Sequence, residues 1–333
     1  LGDVYKRQVY KGSGHGTAVL GCIAGKVNGI RIGMAVDAEF LLARTELALR
    51  EPKSEEDNWL AAMEWADREG ADIISSSLGY SKSRYTYADM TGEKTLVTKA
   101  AAMAVRKGIL VVNSAGNEGT GKFHYIAAPG DADSVLTIGA SYPMMAYKMP
   151  FSSFGPNYRG ILKPEISAPG YVLSAHKKGG FRPTAGTSFS CPLIAGIAAC
   201  MIQKYPNASN MEIRQKLIEA ASRYPYADYS LGYGVFSAER AFGDQVEKEV
   251  APSFEIDVVR DTIWFTIEPN ALAKDSAKYA SGKPFSYRFV NKTGKIAGAR
   301  TVLLRQGVKR FGLPVKSCPS GKLEAWFEGY YSH

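Results

Sequence analysis

Lys107-Gly108-Ile109-Leu110-Val111-Val112-Asn113-Ser114-Ala115-Gly116-Asn117-Glu118-Gly119 is the stretch from which the fold is read. Lys107-Gly108 is a helix stop signal, closing an amphipathic helical stretch over residues 95–106. Residues 109–112 form a continuous apolar run, the pattern of a strand covered on both faces in a parallel sheet. The Ser-Ala-Gly-Asn-Glu-Gly that follows stands at the C-terminal end of that strand, where open α/β sheets bind ligands. Gly-Asn after a strand is more often only a turn.

Outward from this stretch the pattern repeats. Residues 39–43, 71–76 and 134–140 are rich in Ile, Val or Leu and are predicted strands. Ser54, with Asp57 three residues on, resembles a weak capping box, and it opens a helix through Trp59, Leu60, Met63 and Ala66 at i, i+3/i+4 spacing. Strand, helix, strand at this spacing predicts βαβ units and a mainly parallel sheet. Two further helices are predicted over 188–204 and 209–221. The texture changes after a boundary near 243–252. Residues 253–333 alternate as strands do, as in Phe254-Glu-Ile-Asp-Val258 and Thr262-Ile-Trp-Phe-Thr-Ile267, with turn residues between. The expected organisation is an α/β region over 9–243 and a β-rich segment over 244–333. Residues 1–8 (Leu-Gly-Asp-Val-Tyr-Lys-Arg-Gln) are expected to be non-native sequence joined to a fragment.

Composition narrows the class. The 333 residues are 45% hydrophobic and 22% charged, with 34 glycines and 16 prolines, which excludes disordered, collagen-like and coiled-coil chains. No strictly apolar run exceeds the six residues of Ile197 to Ile202, far too short to span a membrane. The net charge of +9 taken alone suggests an acidic partner. It is unevenly spread: residues 276–323 hold eleven Lys/Arg and no Asp or Glu, which leaves 30 basic against 32 acidic residues elsewhere, a net of −2. The charge belongs to the C-terminal segment, where it is either a solvated face or a surface for an anionic partner. A nucleic-acid-binding reading rests on that number alone, and no nucleic acid is expected as a partner.

Three segments carry chemistry. Gly14-His15-Gly16-Thr17 sets a histidine between glycines, which let another backbone or a ligand approach closely; a histidine met alone is as a rule structural. Gly186-Thr187-Ser188-Phe189-Ser190-Cys191-Pro192 places a serine at a helix N-terminus with Pro in the first turn, either as an ordinary cap or as a nucleophile beside helix-terminal N–H groups. The third is the Ser-Ala-Gly-Asn-Glu-Gly of 114–119. Cys22, Cys191, Cys200 and Cys318 show no metal-ligand spacing and are expected as buried free thiols, with a Cys22–Cys191 disulfide the next reading. His124, His176 and His333 have no clustered partners.

Together and in this order the segments resemble the subtilisin-like serine proteases (subtilases), over about residues 9–243. The resemblance implies a three-layer α/β fold with a mainly parallel sheet. It makes His15 the general base and then acid, Ser188 the nucleophile, and Asn117 the side-chain oxyanion donor, joined by the N–H of Ser188. Ile74-Ser-Ser-Ser-Leu-Gly79 is similar to the family's substrate-pairing edge. Ser77, Leu78 and Gly79 then line one side of the pocket for the residue before the scissile bond, and Ser114, Ala115 and Gly116 the other, their small side chains leaving room for a bulky or apolar residue. Glu118 on the rim either favours a basic residue or is a solvated turn carboxylate. Polypeptide substrates, secretion and structural calcium are implied by the family alone; no other cofactor and no metal ligand set is expected.

One member departs from the family pattern. A serine hydroxyl needs an adjacent base, and the base needs a third group to hold its tautomer. Subtilases place that aspartate on the first core strand, in an Asp-Ser/Thr-Gly turn well upstream of the histidine. Asp3, the only acid before His15, is followed by Val4-Tyr5 and lies within the octapeptide. The expectation is an N-terminally truncated serine endopeptidase, weakly active or inactive at this length. The rival is a subtilase-like peptide-binding protein with no triad by nature.

Overall fold

A computed structural model of the chain describes residues 14–46, 52–81, 84–143, 146–243, 251–273 and 282–333. The expectations placed on residues 1–8, Asp3 among them, lie outside the described residues. The chain divides into two compact units, Leu1–Ala221 with Tyr229–Ala241, and Ser222–Asp228 with Phe242–His333.

The first unit begins with α1 (His15–Ala24), a short hairpin of β1 (Lys26–Val27) and β2 (Ile30–Arg31), α2 (Ser54–Arg68) and β3 (Ile73–Ser76). Then come α3 (Leu96–Arg106), β4 (Leu110–Ser114), β5 (Leu136–Ser141), β6 (Ile166–Pro169) and the antiparallel hairpin β7 (Tyr171–Ala175)–β8 (Phe181–Ala185). It closes with α4 (Thr187–Lys204), α5 (Asn210–Glu219) and all but the last residue of α6 (Ala238–Phe242). Strands β3, β4, β5 and β6 lie side by side in that order, all parallel. Every residue of β4 and β5 is buried, as the apolar run at 109–112 demands of a strand covered on both faces. Helices α2 and α3 pack on one another and contribute Trp59, Met63, Val97, Ala101 and Ala104 to a core shared with Ile109 and Val111. Helix α4 packs on β3, β4, β5 and β6, and against α1.

Three local expectations need correction. Residues 39–43 form no strand: they make no ladder with any described residue, and Phe40 and Leu41 are exposed at 36% and 45%. Apolar composition fits a strand there, but a strand needs a neighbour to take its N–H and C=O groups. Helix α2 starts without a capping box; Lys53 is its N-cap and no side chain caps it. The first-turn carboxylates serve elsewhere, Glu55 and Glu56 pairing with the buried Arg84 at 3.1 and 3.2 Å. Pro192 lies in the second turn of α4, not the first, with a consequence for Ser188 described below.

A second buried charge cluster joins β5, β6 and α5. Glu165 Oε1 accepts from Lys163 Nζ at 2.7 Å and from Arg214 Nη2 at 2.5 Å, and its Oε2 accepts from the Thr137 N–H at 2.8 Å. Lys163 is fully buried and also donates to the Val135 carbonyl at 2.8 Å.

The body of the second unit is β9 (Phe254–Val259), β10 (Thr262–Ile267), α7 (Pro269–Ala273), β11 (Lys283–Val290), β12 (Ile296–Leu304), β13 (Arg310–Pro314), β14 (Lys322–Phe327) and β15 (Tyr330–Ser332). They form two antiparallel sheets, β13-β10-β9 and β12-β11-β14-β15. Inward-facing Phe254, Phe265, Phe285 and Phe327 make an aromatic core. On the other face of β11, Ser286 accepts from Arg223, which also pairs with Asp228 at 2.8 Å. Arg288 pairs with Glu324 and donates to the Ala227 carbonyl. The Arg223 and Arg288 guanidinium groups lie 5.4 and 5.0 Å from the centre of the Tyr226 ring, which is wholly buried. Most cations of 276–323 are exposed, Lys292, Lys295, Arg305 and Lys316 among them.

Candidate active site

The parallel strands deliver their C-terminal ends to one place. β3 runs on into Ser77-Leu78-Gly79 and β4 into Ala115-Gly116-Asn117, while α4 begins at Thr187. Backbone N–H groups in the first turn of a helix have no intrahelical acceptor and favour negative charge beside them. Gly186 caps α4 at φ +151°, a conformation that L side chains rarely adopt.

Ser188 is fixed by a reciprocal pair of bonds to Ser77. Pro192 has no N–H to give to the carbonyl four residues before it, which is that of Ser188. The Ser77 hydroxyl fills this vacancy, donating to Ser188 O at 2.8 Å. In return the Ser188 hydroxyl lies 3.3 Å from Ser77 O. The proline in the serine motif thus ties the start of α4 to the end of β3.

Asn117 is held by the residue before Ser188. Its Oδ1 accepts from both the N–H and the hydroxyl of Thr187, each at 3.0 Å. Because a backbone N–H can only donate, these bonds assign the carboxamide: the oxygen faces Thr187 and the amino group is on the other side, near Gly186. Thr187 Oγ1 also accepts from the Gly116 N–H at 3.2 Å, so one buried threonine sets both the turn and its side chain.

His15 is the first residue of α1, and its ring meets the ring of Phe189, the neighbour of Ser188, edge to face at 6.2 Å. Burial lowers the imidazole pKa below its usual value, because it penalises the charged form.

The two expected pocket walls converge on a residue the sequence reading passed over. A β-carbon placed on Gly79 would lie 3.0 Å from the Ala127 methyl, and one on Gly116 would lie 3.6 Å from it. Ala127 is buried and donates its N–H to Ala115 O, while Ala128 and Tyr80 exchange backbone bonds. The Ala127 methyl takes up part of the gap that small residues on the walls were expected to leave. Leu78 turns its side chain to the main core, and Ala115 and Ser114 are buried, so both walls are largely backbone. Glu118 donates its N–H to Ser153 Oγ. Ala127 and Ser153 lie in no motif, and Thr187 lies in the serine motif with no role read for it; only their long-range contacts reveal what they do.

Among the described residues all four cysteines are free; Cys22 and Cys191 are buried, whereas Cys200 and Cys318 are only half-buried. Burial pushes the Cys22 thiol up to about 11 and the Cys191 thiol up to about 12. Cys191 Sγ donates to Val112 O at 3.4 Å, so it is a buried, protonated group and not a nucleophile. His124 lies against Gly119 O at 3.2 Å. Among the described residues no three His, Cys, Asp or Glu side chains converge as a metal-binding group. Among the same residues no helix is long and apolar enough to cross a membrane.

A parallel α/β sheet with a histidine and a serine at two packed helix N-termini, and an anchored asparagine amide beside the serine, has the parts of a serine hydrolase. The chain belongs to the subtilase family, whose model (Peptidase S8) matches residues 2–234. Subtilisin DY of Bacillus licheniformis is 30% identical over 69% of the chain and 78% of that protein. Subtilisin E of Bacillus subtilis strain 168 is 31% identical over 69% of the chain, which spans only 56% of that relative. Among solved structures, sphericase has a TM-score of 0.55 at 28% identity, covering 68% of the chain and 78% of its own. The patellamide maturation protease PatA has a TM-score of 0.58 at 25% identity, over 70% and 85%. The three-layer subtilisin-like α/β fold read from the motifs is therefore the fold of this chain, with a β-rich C-terminal region added.

Proposed function

We propose that the protein is a serine endopeptidase acting on extended polypeptide. Ser188 Oγ attacks the scissile carbonyl as His15 takes its proton; His15 then returns that proton to the leaving amine, and water repeats the cycle on the acyl-enzyme. The Asn117 amino group and the Ser188 N–H hold the oxyanion of each tetrahedral intermediate. By the family pattern the third member is an aspartate in an Asp-Ser/Thr-Gly turn, a sequence that Asp3-Val4-Tyr5 does not match. Ser77, Leu78, Gly79, Ser114, Ala115 and Gly116 receive the residue before the cleaved bond. The observation that carries this reading is the double hydrogen bond from Thr187 to Asn117 Oδ1, since it turns the amide donors away from Thr187.

Asn117→Ala is expected to lower turnover by about 10²–10³, the loss that subtilisin shows without its side-chain donor, with KM nearly unchanged. Ser188→Ala should end labelling by a fluorophosphonate. Peptide binding with no labelling of the parent chain would instead support the rival, a non-catalytic peptide-binding protein.

The direction of the His15 shift gives a pH test. A base whose pKa is lowered stays neutral, and so competent, to lower pH. The acid limb of kcat/KM is therefore expected below about 6.5, the ordinary imidazole value. In the 333-residue chain, a profile with no acid limb in the histidine range would remove His15 as the base.

By family resemblance the site of action is outside the cytoplasm. The exposed cations of the C-terminal unit are read as a contact for an anionic surface or partner. The PatA and prenylagaramide PagA proteases are maturation enzymes by name, so cleavage of a precursor peptide is a substrate class to assay beside general proteolysis.

A further inference from the structure

The turn that carries Asn117 rests on a loop whose carbonyls converge on one ammonium group. Lys148 Nζ donates to the carbonyls of Met149 at 3.2 Å, Pro150 at 3.2 Å and Ser152 at 2.9 Å, and lies 5.3 Å from the centre of the Phe154 ring. The same loop holds the Asn117 turn at three hydrogen bonds. Ser153 N–H donates to Gly116 O at 2.9 Å, Glu118 N–H to Ser153 Oγ at 3.1 Å, and Gly119 N–H to Phe151 O at 2.8 Å. Contact between them is close: a β-carbon on Gly119 would meet Ser152 O at 2.3 Å and Pro150 O at 2.6 Å, two of the three carbonyls that Lys148 binds. Only glycine fits against that carbonyl group.

Three carbonyl oxygens aimed at one point repel one another unless a cation sits among them. Burial lowers the Lys148 pKa, but its three charge-assisted bonds and the ring face hold the ammonium in place. Without it the loop has to turn those carbonyls out to water, and residues 151–153 would move with them.

We propose that Lys148 is a positioning residue for the oxyanion donor: its ammonium fixes residues 149–153, which fix the Gly116–Gly119 turn and so the Asn117 carboxamide. Lys148 touches no substrate atom in this scheme; it acts through the turn. The proposal rests on the reading of Asn117 as the side-chain oxyanion donor, and the test separates the two.

In the full chain the rate of Ser188 modification by a fluorophosphonate, whose P–O bond develops negative charge toward the oxyanion donors, is compared for the parent, Lys148→Met, Lys148→Arg, Asn117→Ala and the Lys148→Met/Asn117→Ala double variant. Amide hydrogen exchange at Glu118 and Gly119 is followed in each. Lys148→Met is expected to slow modification about 10-fold and to speed exchange at both amides, because a small displacement of a catalytic group is costly. Lys148→Arg should restore the rate to within about threefold. The double variant should be no slower than Asn117→Ala alone, since the two act as one unit. Ammonium or potassium ions should partly rescue Lys148→Ala. A Lys148→Met rate equal to the parent's beside a slow Asn117→Ala would overturn the proposal, as would full additivity in the double variant. An unaltered Asn117→Ala rate overturns the site reading instead, and exchange then decides whether Lys148 holds the turn: unchanged protection overturns that too.

Discussion

A chain extended upstream by an apolar strand ending in Asp-Ser/Thr-Gly is expected to hydrolyse a chromogenic peptide ester about 10⁴-fold faster than the 333-residue chain. In subtilisin the loss of the aspartate alone lowers turnover by about 3 × 10⁴, and the rest of the constellation retains the remaining rate. The carboxylate would act twice on His15. It would fix the tautomer that presents a lone pair to Ser188, and it would stabilise the imidazolium formed as the proton moves. A neighbouring negative charge favours the protonated imidazole, so the acid limb of the rate profile should move up toward neutrality as turnover rises. Burial alone pushes His15 the other way. The two changes must appear together: equal turnover from both chains, or faster turnover with an unmoved limb, would take the upstream acid out of the mechanism.

Glu165→Gln is expected to cost the fold about 3–5 kcal/mol, the price of leaving buried charge uncompensated. For a unit of this size that is roughly 6–20 °C in Tm. The substitution is nearly isosteric, so packing is preserved and the effect is electrostatic. It leaves the fully buried Lys163 and the largely buried Arg214 facing a neutral amide. It also puts an NH2 donor where one carboxylate oxygen accepted from two cations or from the Thr137 N–H. Removing charge from both partners, as Lys163→Met with Glu165→Leu, should lose less than half as much, since well-packed apolar residues often replace a buried pair at little cost. A melting temperature for Glu165→Gln within about 2 °C of the parent would show that the cluster adds nothing to stability.

The parts of this molecule legible in its sequence are those where chemistry or burial dictates residue type locally. A strand covered on both faces has to be apolar throughout, so residues 109–112 and 134–140 announce β4 and β5. Particular side chains in fixed company also stand out, His15 between two glycines and Ser188 in the Gly-Thr-Ser run that opens a helix. Strand β6 carries Ser, Ala and Pro and owes its place to register with β5, which no local pattern records. Residues 39–43 show the converse: the composition of a strand is present and its partner is absent from the described residues. Thr187 and Ser153 act through partners 71 and 35 residues away, Ala127 through its methyl between two turns, and Lys148 through a loop's converging carbonyls. Their types are common, and only the fold gives them work.

The seven residues Ser222–Asp228 belong by chain position to the stretch that matches the subtilase model, yet by packing they belong to the β-rich unit. Arg223, Tyr226 and Asp228 complete a buried layer over β11 that Ser286, Arg288 and Glu324 cannot close alone. The boundary along the chain and the boundary in space therefore differ. A crossover placed after Phe242, natural in any shuffling of proteases with their appendages, would separate this layer into two genes. Successful transplants of the β-rich unit onto another catalytic scaffold should be those that carry the heptapeptide with them.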